Sequence, residues 1–587
     1  MYQKNALYFM QIFFVMRCFL LLILFGVQGI GRAQNKAFWI SNVNLVNTST
    51  GKIVPAQTVV VEAGLIKQVT KFNKKLPVPD SVIAIDGTGK FLMPGMIDGH
   101  IHFFQSGGLY TRPDAIDLNK VYAYTKDQQW IKDNLKDLMR RYLACGVTTV
   151  MDVGGPMSNF DVRRQNDSNF LAPNAFVTGP LISTYQPPNL DKKDPPIVKV
   201  NNEAEARELV QKQVPFKPDF IKIWFIVLPN MPAAKSLPIV KAVIDESHKN
   251  NLKVCVHATE YETATLAVEA GADILVHSID DKTADDKFLT LLKTKKVVYI
   301  PTAIVASKYN EVFSQQHRLT AHDFKYANPF MLGTLFDVQH IPKNQLGFDY
   351  TKIKKQMPVP SATDSMIWQN LKRVSNAGIT IAAGTDAGNI GTQHGASYYT
   401  ELMAMRHSGM TNAQVLKAAT IDAAIGFGKQ QILGSIEQGK MANPLLLNAN
   451  PLDTLDNLHS MTHVFNRGHL IKADTLLPVT PEILAQQQLN AYNARDVDAF
   501  LAPYADSVSL YGYPNQFFEK GLDKMRVSYG KMFKSIPNLH CELVNRMVQG
   551  NTIIDHESVT GFGPKPVRAI AIYTIKNGKI ESVRFIE

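Results

Sequence analysis

From Met93 onward the chain alternates short apolar runs with helix-like segments, and this alternation restricts the fold more than any other feature. The runs cover residues 94–102, 146–153, 175–179, 220–224, 253–257, 273–277, 297–300 and 379–384. Helical patterning lies between several of them, most clearly from Tyr261 to Ala270, closed by Gly271. Continuous apolar strands separated by helices indicate a parallel sheet buried on both faces. Eight repeats predict an α/β fold, a (β/α)8 barrel. Residues 306–373, between runs seven and eight, exceed a plain loop. They are expected to fold as helices over the barrel mouth, as a lid or as a packed insertion.

Polar residues stand where several of these apolar strands run out. The first run ends Asp98-Gly99-His100-Ile101-His102. Residues two apart on a strand share a face, so His100 and His102 point the same way. Two imidazoles so placed suit one borderline-soft metal ion. His257 and His277 end two further runs, and Asp386 follows the eighth in Gly384-Thr385-Asp386-Ala387-Gly388. Singly, each histidine fits a hydrogen-bonded core position and Asp386 fits a turn or helix cap. Together they converge, because strand C-termini in such a barrel form one mouth. Lys222 lies inside an apolar strand, among Phe220, Ile221, Ile223 and Trp224. A bare ammonium there needs a carboxylate partner, a lowered pKa, or conversion by carbon dioxide to an anionic carbamate. Tyr299 and His394 lie close enough in sequence to mouth elements to be candidate substrate contacts.

The chain resembles the amidohydrolase superfamily, in its imidazolonepropionase- and prolidase-like branch, over residues 37–475. The motifs are Pro94-Gly95-Met96-Ile97-Asp98-Gly99-His100-Ile101-His102, Val256-His257-Ala258, Val276-His277-Ser278, Gly384-Thr385-Asp386 and Gly434-Ser435-Ile436-Glu437-Gln438-Gly439-Lys440-Met441-Ala442. Asn443 stands where the family usually has Asp. The resemblance implies two divalent metal ions, expected to be Zn2+. His100, His102 and Asp386 would hold one, His257 and His277 the other, and a carboxylated Lys222 would bridge them. It implies hydrolysis of an amide or cyclic amide, a dipeptide among the candidates, with Asp386 as proton shuttle. A lactonase or esterase on the same barrel is the alternative within enzymes. A non-catalytic exported ligand-binding protein is the alternative outside them.

The remaining chain frames this barrel. Short β-type runs between residues 37 and 93, and again up to about residue 473, suggest one composite β-sandwich domain. Thr480 and Pro481 form a helix start, an N-cap followed by a proline at the first helical position. The helix so opened is expected to run from Pro481 to about Asn493. After it come long β-type runs, and the region is expected to fold as a separate α+β unit. Leu489-Asn490-Ala491-Tyr492-Asn493-Ala494-Arg495-Asp496 and the terminal strands resemble SnoaL-like cone folds. The expected division is a signal peptide at 1–33, the composite β domain at 34–93 and 426–477, the barrel at 94–425 and the cone at 478–587.

Arg17, an apolar run through Phe25 and the ending Gly31-Arg32-Ala33 read as a signal peptide cleaved before Gln34. Export to a periplasmic or extracellular location is expected, with no stable membrane span afterwards. The four cysteines, Cys18, Cys145, Cys255 and Cys541, are too scattered for a disulfide framework. The net charge of +11 is spread without a basic block. That excludes a nucleic-acid footprint as the organising feature and leaves a small-molecule or peptide-like substrate as the expected partner. Nothing in the sequence excludes assembly with further copies of the chain.

Overall fold

The computed structural model describes residues 37–586 except 168 and 357. The signal-peptide reading lies outside the described residues. Among them, no helix is long and apolar enough to cross a membrane.

Seven of the eight expected runs become parallel strands, and the eighth an irregular segment set between the seventh and the first. Strands one to three are Met96–Ile101, Val147–Asp152 and Asn174–Val177. Strands four to seven are Ile221–Trp224, Val254–His257, Ile274–Val276 and Val298–Ile300. Every ladder between them is parallel. This eighth segment is joined to strands seven and one by single backbone bonds, without a ladder. Ala382 N donates to Tyr299 O at 3.0 Å, Gly99 N to Ala383 O at 2.8 Å, and Asp386 N to His100 O at 2.8 Å. Strand three is split. Val177 ends its pairing with strand two, Thr178-Gly179-Pro180 turns the chain, and Leu181–Ser183 then pairs with strand four. Pro180 has no N–H to give a ladder, so the break falls where the chain loses a donor. Helices cover the outside, from Tyr124–Ala144 after strand one to Ala396–His407 after strand eight.

Below the barrel, strands from both flanking segments form one eight-stranded sheet. Pro444–Leu447 lies antiparallel to Phe91–Pro94, and Phe38–Asn47 lies on the other side of that strand. Phe38 and Phe465 are three strands apart along this path, roughly 14 Å in a flat sheet. Their rings meet edge to face at 5.5 Å, so the sheet curls around one apolar core with Ile40, Val59 and Leu446.

The C-terminal unit is a six-stranded sheet with helices Pro481–Ala494, Val497–Leu501 and Leu522–Ser535. The Thr480 side chain accepts from Ile483 N, as a helix cap should. Sequence reading treats this region as separate, but its core is continuous with that of the insertion between strands seven and eight. Leu332, Leu335 and Leu346 of the insertion share one buried cluster with Leu484, Leu489 and Phe500. Asn490 Nδ2 donates to Pro329 O at 2.7 Å. A Cβ on Gly333 would stand 2.7 Å from Gln486 Nε2, so a larger residue there would displace the Gln486 side chain. The insertion in turn holds the loop after strand one. Leu109 N donates to Thr334 Oγ1 at 3.0 Å, and Tyr110 Oη donates to Asp337 at 2.7 Å.

Candidate metal centre

Strand one delivers its two histidines together. His100 Nε2 and His102 Nε2 are 3.2 Å apart, and each lies 3.3 Å from Asp386 Oδ1. Ile101, between them, packs outward among the barrel-helix core residues. His277 stands beside His100 with ring centres 5.1 Å apart, and His257 beside His277 at 4.4 Å. Ligand atoms of His100, His277 and Asp386 all lie within 4.8 Å of one another. Lys222 pairs across its ladder with Cys255, two residues before His257, so it sits one layer deeper in the barrel. Its Nζ is buried without a hydrogen-bond partner. Five strand ends thus supply the six predicted ligand positions to one place.

The approach is bought with backbone strain. His277 has φ +76° and Asp386 φ +61°, both left-handed in residues that carry a Cβ. Such conformations persist only where surroundings over-determine them. Here the surroundings are buried hydrogen bonds. Asp98 accepts from Thr385 N at 3.0 Å and from Thr385 Oγ1 at 2.7 Å, clamping strand one to strand eight below Asp386. Glu401, wholly buried, accepts from Ala303 N at 2.9 Å and Ile304 N at 3.2 Å. That fixes the turn containing Thr302, whose Oγ1 lies 2.7 Å from His277 Nδ1. His102 Nδ1 donates to Gly154 O at 2.7 Å, which fixes the ring with Nε2 turned toward Asp386. A Cβ on Gly384 would lie 2.9 Å from His100 N, so only glycine lets strand eight pass this close to strand one.

Electrostatics follow from the burial. Burial, then the nearby Lys222, holds His100 well below the usual imidazole range. Burial, then His277, does the same to His257, and His277 itself is pushed down to about 3, first by burial. Burial alone would raise Asp386, but His100 and His102 beside it hold the carboxylate well below its ordinary value. Burial lowers Lys222 to about 8. The arrangement is therefore three imidazoles, His100, His257 and His277, that burial makes reluctant to take a proton, an ionised carboxylate and an amine whose proton burial loosens. These are the protonation states metal coordination needs, and the buried unpartnered Nζ is a polar atom lacking its counterpart. The donor set fits one or more divalent ions.

Two predicted contacts are not brought to the centre. Tyr299 lies between Val298 and Ile300, which face the barrel interior, so its ring points outward into the helix-packed core. Its hydroxyl accepts from Ile279 N at 3.3 Å. His394 has both ring nitrogens engaged, Nδ1 with Tyr142 Oη and Nε2 with Gln105 O, each at 2.8 Å, and it stacks on Phe103. Neither side chain is free for substrate. Sequence reading passed over Asp152, at the end of strand two. It is fully buried, accepts from Phe103 N at 3.3 Å and lies close enough to feel His102. Its signal was an acidic residue closing an apolar strand, as with Asp386. Arg112 was also missed. It is paired with Asp114, bonded to Asn389, and 3.3 Å from Tyr309 Oη, fastening the loop after strand one to the loop after strand eight.

A parallel barrel with histidines and a carboxylate gathered at its strand C-termini defines a class built for metal-dependent chemistry at that mouth. Within that class the chain belongs to the amidohydrolase family, which it matches over residues 91–472. Residues 485–583 match the SnoaL-like domain. An ochratoxinase of Aspergillus niger is 25% identical over 244 residues, 41% of this chain and 42% of that protein. The chain thus spans less than half the length of that relative. The crystal structure of a Xaa-Pro dipeptidase with bound methionine superposes with a TM-score of 0.56 at 21% identity, covering 74% of this chain and 100% of the other. That of phenylurea hydrolase B gives 0.59 at 19% identity, over 76% and 99%. At these identities the structural likeness establishes the fold.

Proposed function

We propose that the protein is an exported metal-dependent hydrolase that cleaves the C–N bond of a small amide, cyclic amide or dipeptide. The observation that carries this reading is the convergence of His100, His102, His257, His277 and Asp386 around the unpartnered Lys222 amine. Family membership and the dipeptidase and phenylurea hydrolase structures support a reaction at carbon–nitrogen bonds.

His100, His102 and Asp386 would hold one divalent ion, and His257 and His277 a second. Six ligand positions exceed the roughly three that one catalytic zinc takes from its protein. Lys222 would bridge the pair as a carbamate. Its neutral amine attacks carbon dioxide and releases one proton, giving an anionic bridge without calling on a further carboxylate. Bound metal supplies Lewis-acid polarisation of the scissile carbonyl and of the attacking water. Asp386, kept ionised by the two histidines beside it, takes the proton from that water and hands it to the leaving nitrogen. Thr302 and Gly154 O orient His277 and His102 throughout.

Metal analysis combined with a hydrolase panel tests the reading. The expected result is about two divalent ions per chain and turnover of dipeptides, N-acyl amino acids or cyclic amides. Turnover of lactones alone, or metal without turnover, would replace it by the esterase or the binding-protein alternative. Export is tested separately, by N-terminal sequencing of native protein, which should begin near Gln34.

A further inference from the structure

Trp224 closes strand four at the level of the metal ligands. It pairs across its ladder with His257, and it shares a face with Lys222, two residues earlier. Ile223 and Phe225 on either side of it pack outward among the barrel-helix core residues, so the indole points into the mouth. There its ring stands edge to face with His257 at 6.1 Å and tilted against Tyr185 at 6.2 Å. His100, His102, His277 and Asp386 are buried, whereas His257, Trp224 and Tyr185 each keep some surface in contact with solvent. The way from water to the ligands therefore runs past His257 and along the indole.

This wall is firmly built. Behind the indole lies a small apolar cluster of its own, made of Tyr124, Leu181, Leu190 and Ile197. Ser183 Oγ donates to Trp224 O at 2.9 Å and accepts from Tyr185 N at 3.3 Å, tying the loop after strand three to the end of strand four. Asn189 Nδ2 donates to Pro113 O at 3.3 Å, tying the same loop to the one after strand one. An indole that served packing alone would be covered by its cluster. This one is backed on one side and leaves the other beside the metal ligands. Water leaves a flat apolar face readily, and a ring laid against it gains both burial and aromatic contact.

We propose that Trp224 is a specificity-determining residue of the barrel site: with Tyr185 it receives an aromatic or branched apolar group that the substrate carries on the His257 side of the metal centre. The inference rests on the hydrolase reading above and narrows its substrates to amides bearing such a group.

Paired substrates test it on the metal-loaded full chain. N-acetyl-L-phenylalanine is set against N-acetyl-L-alanine, and N-benzoylglycine against N-acetylglycine, so that the ring is offered on either side of the scissile bond. In one pair kcat/KM should favour the phenyl-bearing member by about tenfold or more. Trp224→Ala should cut that ratio to about twofold or less at unchanged metal content, and Trp224→Phe should keep most of it. No phenyl preference in either pair, or a preference untouched by Trp224→Ala, overturns the proposal. Should Trp224→Ala fail to fold, Tyr185→Ala should lower the ratio in the same direction, and an unchanged ratio there overturns it equally. Isothermal titration with the same pairs separates this inference from the reading it rests on. A phenyl preference in binding that falls in Trp224→Ala, without turnover of any pair, would sink the hydrolase and keep the wall. Turnover without phenyl preference would keep the hydrolase and remove the wall, and so would binding of neither phenyl-bearing member.

Discussion

At the barrel mouth, Lys222 Nζ and His100 Nδ1 lie buried with no hydrogen-bond partner among the described residues. On the floor of a cavity of about 360 Å³ in the C-terminal unit, Tyr504, Gln488, Tyr573 and Glu557 form a hydrogen-bonded chain with donors running one way. Both regions bury polar groups behind apolar walls, yet only one leaves them unsatisfied. Unpaired buried groups are expensive, and folds keep them where a ligand of opposite character completes them. The mouth is thus organised for ions that supply what the amine and imidazoles lack. The polar floor of the cavity is self-sufficient. Backbone strain divides the same way: His277 and Asp386 are left-handed, whereas no cavity-lining residue is.

The sharpest way to break this contrast is Asp386→Asn. It keeps the shape and removes the base, so turnover should fall by about 10²–10⁴-fold with the fold intact. Steady-state kinetics beside a thermal melt checks this, and unchanged kcat would remove Asp386 from the reaction. Lys222→Ala should lower metal content to about half and activity with it, since the bridge is gone. Elemental analysis reads the loss, and full metal content would leave the amine as mere packing.

The cavity answers to pH instead. Burial, then the neighbouring Asp555, raises Glu557 from its ordinary 4.5 to about 7. Its protonated form is the one the fold favours. The stability it contributes is therefore complete below about 4.5 and is lost as pH rises through about 7. The slope is up to roughly 1.4 kcal/mol per pH unit over that window. Glu557→Gln should flatten that part of the stability–pH curve, measured by denaturant titration. A slope unchanged by the substitution would assign the effect to other groups.

The smallest effect belongs to the joint between the regions. Asn490→Ala strips the donor from Pro329 O and should cost about 1–3 kcal/mol. The loss is expected in the melting of the whole chain, because insertion and C-terminal unit share one core. A melt in which only a C-terminal transition moves would show the two regions to be uncoupled.

The barrel was legible because its strands are apolar on both faces and its ligands end them. The Thr480 cap was legible because its chemistry is local. The same two-sided burial hid the orientation of Tyr299. In Val298-Tyr299-Ile300 every residue suits either face, so nothing local says that the ring turns outward. His394 was misread because its partners, Tyr142 and Gln105, lie more than 250 residues away in the chain. Glu401 and Thr302 hold the site through contacts that reach back 98 and 25 residues, also beyond any local pattern. The split of strand three left a trace in Gly179-Pro180, but a trace of a turn does not disclose that both halves pair with different neighbours.

The seat of the C-terminal unit also bears on how such proteins are recombined. Asn490 and Gln486 grip Pro329 and Gly333, and that same insertion holds Leu109 and Tyr110 directly after the paired histidines. The tail is therefore attached to the insertion that holds the loop after strand one. A chimera that exchanged the tail alone would leave Leu332, Leu335 and Leu346 facing an unmatched surface. The transferable module is the pair, insertion and tail together, although the gene writes them more than a hundred codons apart.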